Sequence, residues 1–556
     1  MRFTKLVLMV CLVALISACG DGPLTGANSV NISIVYGSEK RAWMEAVVTT
    51  FNNQRAKTPD GKTIVVTATP MGSNDSLNRI LNGEIQPTIW SPASTILVPV
   101  ANDAWAQQNS GARLVDDNPP PLVLSPVVIA MWEPMARVIG WPDKPIGWGD
   151  IAEIARSGKS WGDFGHPEWG AFQFGHTHPD FSNSGVTSII AMAYAATGKT
   201  RDLQVSDVQK PETASFVQAV QSSIIHYGES TGFFGTQMFS RGPGYLSAAI
   251  LYENLIIESR DQSRYPNLSL PVVAIYPKEG TFWSDHPYAV LNAPWVTADQ
   301  QAAAGVFREF LLARPQQEQA LQFGFRPADP GIAIGAPITP ANGVDPTQPQ
   351  TLLEVPSVNT FQAIRTLWQQ NKKRVELEIV LDVSGSMRDE DRLEQAKKAL
   401  QTFVANLADE DQVALTIFSN SVTPLYPMTS VGTIRQDLIN RIGGLVPQGN
   451  TRLLDTVAEA HQRLTAEPPG RAIRAVVVLT DGLDNRSTQD ANQLLSTLRQ
   501  DEEGRSVKVF TIAFGGDADT ELLKQIAEAS GAKSYIGNPN EPGNIEQVYR
   551  DIATFF

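Results

Sequence analysis

The stretch Arg374–Ser386, RVELEIVLDVSGS, decides the fold of the last third of this chain. Its first nine residues read as a buried strand, and Asp382-Val383-Ser384-Gly385-Ser386 leaves that strand through a glycine-containing turn. One carboxylate and two hydroxyls at alternate positions, lifted off a strand end, suit a single hard divalent cation. Serine hydroxyls are neutral ligands, so a cation held largely by them keeps much of its charge. Mg²⁺ favours near-octahedral oxygen geometry and retains several waters. Such a site is open to an external anionic oxygen and captures a carboxylate rather than hiding a structural metal.

Two further segments fall where an α/β reading needs them. Ala475–Thr480 (AVVVLT) has the length and apolar character of a buried parallel strand, and it ends at Asp481-Gly482. Gly449-Asn450-Thr451 is a turn that opens the amphipathic stretch RLLDTVAEAHQRL. Strand-like and helix-like segments alternate from Arg374 to Phe556, and Leu393, Ala396, Leu400, Phe403 and Leu407 form one apolar stripe facing a sheet. Doubly wound folds bind ligands at the carboxyl ends of their strands. The Asp382, Thr451 and Asp481 loops are expected at that edge.

These residues resemble the von Willebrand factor A (VWA) domain, a doubly wound Rossmann-like fold, and its metal-ion-dependent adhesion site. Asp-x-Ser-x-Ser, then a loop threonine, then a strand-end aspartate, carry the resemblance over residues 374–556. It implies that Ser384, Ser386 and Thr451 offer hydroxyls to Mg²⁺ (or Mn²⁺), while Asp382 and Asp481 hold it directly or through water. It further implies that the sixth position takes an acidic side chain from a protein partner. Asn450 stands where many relatives have a second glycine.

The N-terminus bears on location. Arg2 and Lys5 form a short basic region before Leu6–Ile16, an apolar stretch too short to span a bilayer but suited to export. Ile16-Ser17-Ala18-Cys19 resembles a bacterial lipobox, which implies cleavage of residues 1–18 and lipidation of Cys19. Cys11 would leave with the signal, so Cys19 would be the only cysteine of the mature chain, which excludes disulfides. The expectation is a protein tethered through residues 19–29 to the outer face of the cell membrane.

Composition agrees with a folded, water-exposed body: 42% of residues are hydrophobic and 18% charged. The net charge of −14 argues against nucleic acid or anionic lipid as a general partner. All eleven tryptophans lie between Trp43 and Trp368, which marks a boundary. Just before it, the Pro-rich stretch 327–356 reads as an ordered wrap, because Ile332, Ile334, Ile338, Leu352, Leu353 and Val355 need burial. TFQAIRTLWQQNKK then makes a helix that hands over to the second module near Lys373.

Residues 30–373 read as another α/β unit. NISIVYG, TIVVTATPM and PTIW are strands, each running into hydroxyl residues at a helix start, at Ser38, Ser73 and Ser91. Helix N-termini carry unpaired N–H groups and a positive dipole end that favour anions. LVLSPVVIAMW, which contains Ser125, is a long strand that could cross between lobes. Ser182-Asn183-Ser184-Gly185 precedes a helix closed by Gly198, and Tyr252-Glu253 lies in AAILYENLII. This pattern resembles the type II periplasmic solute-binding proteins, two α/β lobes closing over a ligand like a clamshell. The resemblance implies a small-molecule ligand held by Ser38, Ser91, Ser125, Ser182, Asn183, Ser184 and Glu253. Plain helix capping explains the same hydroxyls one at a time.

No catalytic grouping can be placed. The serines of DVSGS lack the Gly-x-Ser-x-Gly elbow of a hydrolase. His176-Thr177-His178 with Asp180 is a weak metal candidate. The expected molecule is therefore a lipid-anchored, non-enzymatic binding protein: a two-lobed clamshell for a small ligand, then a Mg²⁺-dependent VWA module for a protein partner. The alternative is a solute-binding receptor of an ABC-type uptake system with an accessory VWA domain.

Overall fold

The computed structural model describes residues 28–466, 472–500, 507–541 and 543–556. The expected signal, Cys19 and most of the tether lie outside the described residues. Ten strands belong to the first unit: β1 (Ser29–Gly37), β2 (Thr63–Met71), β3 (Ile89–Ser91), β4 (Val123–Trp132), β5 (Phe174–Gly175), β6 (Ala248–Tyr252), β7 (Val272–Ile275), β8 (Trp283–Ser284), β9 (Ala289–Val290) and β10 (Arg326–Pro327). Six belong to the second: β11 (Val375–Asp382), β12 (Gln412–Phe418), β13 (Val422–Ser430), β14 (Ile473–Thr480), β15 (Lys508–Phe514) and β16 (Ser534–Gly537).

The first unit is two-lobed. One sheet has the order β2-β1-β3-β9, with β1 parallel to both neighbours and β9 antiparallel at the edge. The other is built around β4, which the sequence suggested as a crossing strand. Its start pairs with β10 and β8, and its end with β6 and β7, all antiparallel. β4 is buried along almost its whole length, so the run VLSPVVIAMW needs no polar alternation.

The second unit has the order β13-β12-β11-β14-β15-β16, parallel except for β13. The chain starts in the middle, winds one way to β13, then returns to wind the other way. That reversal falls between β11 and β14, so Asp382 and Asp481 emerge side by side at the switch point. Alternate residues of one strand feed opposite layers: Leu377, Ile379 and Leu381 face one core, and Val380 the other. β13 was absent from the sequence reading. Its Pro424 and Pro427 break the strand signature and suit only an unpaired edge, which is where the strand lies.

The two units are not beads on a string. One hydrophobic core runs from the β4 lobe through Ile364, Leu367 and Trp368 of the helix Val358–Asn371 into the near face of the β11 sheet. That helix starts at Ser357, whose hydroxyl accepts from the Thr360 amide. The Pro-rich wrap is half as buried as expected. Ile332, Ile338 and Leu353 are inside, whereas Ile334, Leu352 and Val355 are exposed. Leu353 follows an extended pairing with Thr281, and side chains alternate along an extended chain, so its neighbour Leu352 must face water.

Candidate metal centre and ligand cleft

Three loops build the metal candidate. β11 delivers Asp382, and the chain turns so that Asp382 Oδ1 accepts from the Ser384 amide at 2.7 Å. Thr480, the last residue of β14, donates its hydroxyl to Asp382 Oδ2 at 2.5 Å and so ties the two strand ends together. Ser384 and Ser386 hydroxyls lie 3.1 Å apart, and Ser386 donates to Asp481 Oδ1 at 2.8 Å. The third loop is docked by backbone bonds, from the Gly385 amide to the Gly449 carbonyl and from the Gln448 amide to the Val383 carbonyl. A Cβ placed on Gly482 would stand 3.3 Å from Thr451 Oγ1 and 3.6 Å from Ser386 Oγ. Both hydroxyls are thus aimed at the same small space, and a side chain at 482 would crowd it.

Asp382, Ser384, Asp481 and Thr451 are all buried. Burial pushes the Asp382 carboxyl up to about 7, against the opposing hydrogen bonds from Thr480 and Ser384. It also raises Asp481, against Ser386 and Arg392. Two buried carboxylates and three hydroxyls, all hard oxygen donors, fit a Mg²⁺-like cation. When bound, the cation would supply a Lewis-acidic position for an incoming carboxylate. Asp382, Ser384, Ser386, Thr451 and Asp481 would hold it. Sequence reasoning missed the partners that fix the Thr451 loop: Asn485 accepts the Thr451 amide, and Asp484 the Leu453 amide, both through side-chain oxygens. Both lie in the loop that follows Asp481-Gly482, and Asp and Asn side chains commonly accept backbone amides at turns and helix starts.

The seven cleft candidates are all close to the junction of the lobes, yet they play different parts. Ser38 lies inside a 3-10 turn capped by Gly37 rather than at a cap itself. Its hydroxyl donates to Ser230 Oγ (2.9 Å) and accepts from the Gly232 amide (3.0 Å), joining one lobe to the other. Ser125 Oγ exchanges bonds with Asn254. Ser182 and Ser184 both reach Thr231 Oγ1, at 3.2 and 2.8 Å. Asn183 Nδ2 donates to the Tyr252 hydroxyl. Glu253 is occupied: Arg326 grips both of its oxygens, and Tyr276 donates to one of them. Ser91 Oγ and Asn183 Oδ1 are buried with no hydrogen-bond partner in the protein, as is His286 Nε2.

The centre of this junction is a group the sequence did not flag. Lys40 is fully buried, and its ammonium touches Glu39 Oε1 (3.2 Å), the carbonyls of Ser91 and Pro92, and His286 Nδ1 (3.2 Å). Burial works against ionisation of Glu39, but Lys40 and His286 hold its carboxyl down at about 2. Burial pushes His286 down to about 4, so its ring is neutral at pH 7. Lys40 lies at the end of the turn that leads into the helix Arg41–Gln54. Its burial depends on His286, far along the chain, and no local pattern carries that contact. The metal candidates His176 and His178 are buried in the β4 lobe. They are satisfied by Thr177, Gln221 and the Asp180 amide.

The family model described as bacterial extracellular solute-binding protein matches residues 32–326, more than half of the chain. The chain belongs to that family. A second model, the von Willebrand factor type A domain, matches residues 376–551. This solute-binding protein is 24% identical over 185 residues to human inter-alpha-trypsin inhibitor heavy chain H4, covering 31% of this chain and 20% of that one. It is also 24% identical over 170 residues to the uncharacterized protein YfbK of Escherichia coli, covering 30% and 29%. It therefore spans less than a third of the length of either relative. Among solved structures, a periplasmic thiamin binding protein overlays 64% of this chain and 100% of its own, with 13% identity and a TM-score of 0.46. Among the described residues no helix is long and apolar enough to cross a membrane.

Proposed function

We propose that this solute-binding protein is a lipid-anchored, non-enzymatic binding protein on the outer face of the cell membrane. In this reading its VWA domain uses Mg²⁺ or Mn²⁺ to grip an acidic side chain of a protein partner. One observation carries the reading: Asp382, Ser384, Ser386, Thr451 and Asp481 lie on three loops that converge at the carboxyl edge of one sheet. Mg²⁺ retains waters, so a cation held by two carboxylates and three hydroxyls keeps a coordination position that a partner carboxylate can take. The cleft adds a place for a small polar ligand. Ser91 Oγ, Asn183 Oδ1 and His286 Nε2 are buried there with hydrogen-bonding capacity to spare.

Calorimetric titration of Mg²⁺ into the full chain tests the metal half. Wild type should bind one ion, and Asp481→Asn should bind it at least tenfold more weakly; equal binding would refute the site. Membrane fractionation of cells fed a labelled lipid precursor tests the anchor. Cys19→Ser should appear unlabelled in the soluble fraction, and label retained on that variant would refute the lipid assignment.

A further inference from the structure

Arg392, the first residue of the helix Arg392–Asn406, reaches the metal candidate from behind. Its Nη1 donates to Asp481 Oδ2 at 3.0 Å, on the carboxylate whose other oxygen holds Ser386. Its Nη2 bonds Glu390 at 3.2 Å and Asp517 at 3.1 Å. The guanidinium is 6% exposed and lies on Gly515, where a Cβ would come within 2.9 Å of Arg392 Cζ. Gly515 has φ +98°, so the seat is closed to other residues on two counts. This cation is therefore a built part of the site and not a surface charge that happens to lie near it.

Charge accounting gives it a role. Asp382 and Asp481 together balance a divalent cation, and the buried Arg392 adds one positive charge beside them. Glu390 and Asp517 are 46% and 71% exposed, so water and salt screen their counter-charge. The loaded site keeps a net positive charge towards an incoming carboxylate. We propose that Arg392 is the positioning residue that makes this trade: it weakens the hold of Asp481 on the metal and strengthens the hold of the metal on an acidic partner. The inference rests on the metal reading above and goes beyond it, because it assigns partner affinity to a residue that is not a ligand.

The two effects have opposite signs, which separates this role from a merely structural one. Mn²⁺ serves as the probe, with full-length Arg392→Met, Arg392→Gln and Arg392→Lys compared with wild type. Bound Mn²⁺ is read by electron paramagnetic resonance, and acetate at the metal by the relaxation of water protons. An opposite charge in contact with a carboxylate shifts its equilibria by one to three orders of magnitude. Arg392→Met and Arg392→Gln should bind Mn²⁺ about tenfold more tightly and its acetate about tenfold more weakly. Arg392→Lys should behave as wild type. Weaker or unchanged Mn²⁺ binding in both neutral variants, with wild-type circular dichroism, would overturn the proposal. Mn²⁺ binding that is equal in wild type and Asp382→Ala would instead remove the metal reading on which it rests.

Discussion

Arg79 and Asp551 meet at 3.4 Å, and the contact joins the first lobe of the clamshell to the last helix of the VWA domain. Arg550 reaches Glu84 of the same lobe at 3.2 Å. The VWA domain is also bonded to the other lobe. The Tyr227 amide donates to the Phe555 carbonyl at 3.2 Å, Lys533 pairs with Glu229 at 3.5 Å, and Arg241 donates to the Gly531 carbonyl. Phe555 also packs its ring against His226. One module thus touches both lobes of the other, and the lobes cannot part without breaking one of these two sets of contacts.

Removing both arginines should free the first lobe while leaving the second docked. These pairs are partly exposed and each contributes about 1 kcal/mol or less, so Arg79→Ala with Arg550→Ala should lower Tm by only a few degrees. The local effect should be larger. Amide hydrogen exchange should speed up in the helix Ser73–Leu81, whose first amides donate to the Phe181 carbonyl of the opposite lobe. Exchange that stays at the wild-type rate there would show that the VWA domain does not hold the clamshell shut.

Asp551 also makes this junction sensitive to pH. Burial and the nearby Glu229 push its carboxyl up to about 6, while Gln547, Arg79 and Lys533 pull the other way. The folded pKa lies above the unfolded one, so the native state binds the extra proton. The contribution of this group to stability therefore rises as pH falls from 7 through 6, and is complete below about 4. The gain between pH 7 and pH 5 is on the order of 1 kcal/mol. Asp551→Asn should lose that part of the pH dependence, measured as the difference in Tm between variant and wild type. A difference that does not change with pH would mean that the group is not shifted.

Much of this architecture is legible in the sequence, for identifiable reasons. The apolar runs Ile379–Leu381 and Ala475–Leu479 close β11 and β14 and lead straight to Asp382 and to Thr480-Asp481, so strand, edge and candidate donor are read from one short window. The hydroxyl residues of the clamshell are visible in the sequence, but their bonding is not. Ser38 bridges to Ser230, and Glu253 is closed off by Arg326, through contacts that are distant in sequence. Lys40 and Glu378 show the same limit. Each is a charge buried against a partner from another element, His286 for one and Arg463 for the other, and no local pattern carries that contact.

The Glu39–Lys40 pair should behave as a unit. Removing one partner of a buried ion pair leaves an uncompensated charge, and costs about 3–5 kcal/mol. Lys40→Met should therefore destabilise strongly, because Glu39 is only 3% exposed. Glu39→Gln combined with Lys40→Met should recover most of the loss. Chemical denaturation of the two single variants and the double variant gives the coupling directly. Additive losses would show that the two charges do not depend on each other.

At the metal candidate, stability and binding should separate in a single variant. In the absence of metal, Asp382 is a buried carboxyl raised to about 7, with one oxygen bonded to Thr480 and the other to the Ser384 amide. Replacing it removes a group that is costly to ionise, so metal-free Asp382→Ala should keep its fold and lose little in Tm. What it should lose is the response to metal. A ligand that binds only the native state stabilises it by RT ln(1 + [L]/Kd), about 2.7 kcal/mol at a hundredfold excess. Wild type should therefore gain Tm on adding Mg²⁺ and give it back on adding EDTA. Asp382→Ala should stay flat in both. Ser386→Ala should fall between them, because a water can replace a neutral hydroxyl but not a charge. A Mg²⁺ shift in Asp382→Ala equal to that of wild type would place the cation elsewhere in the molecule.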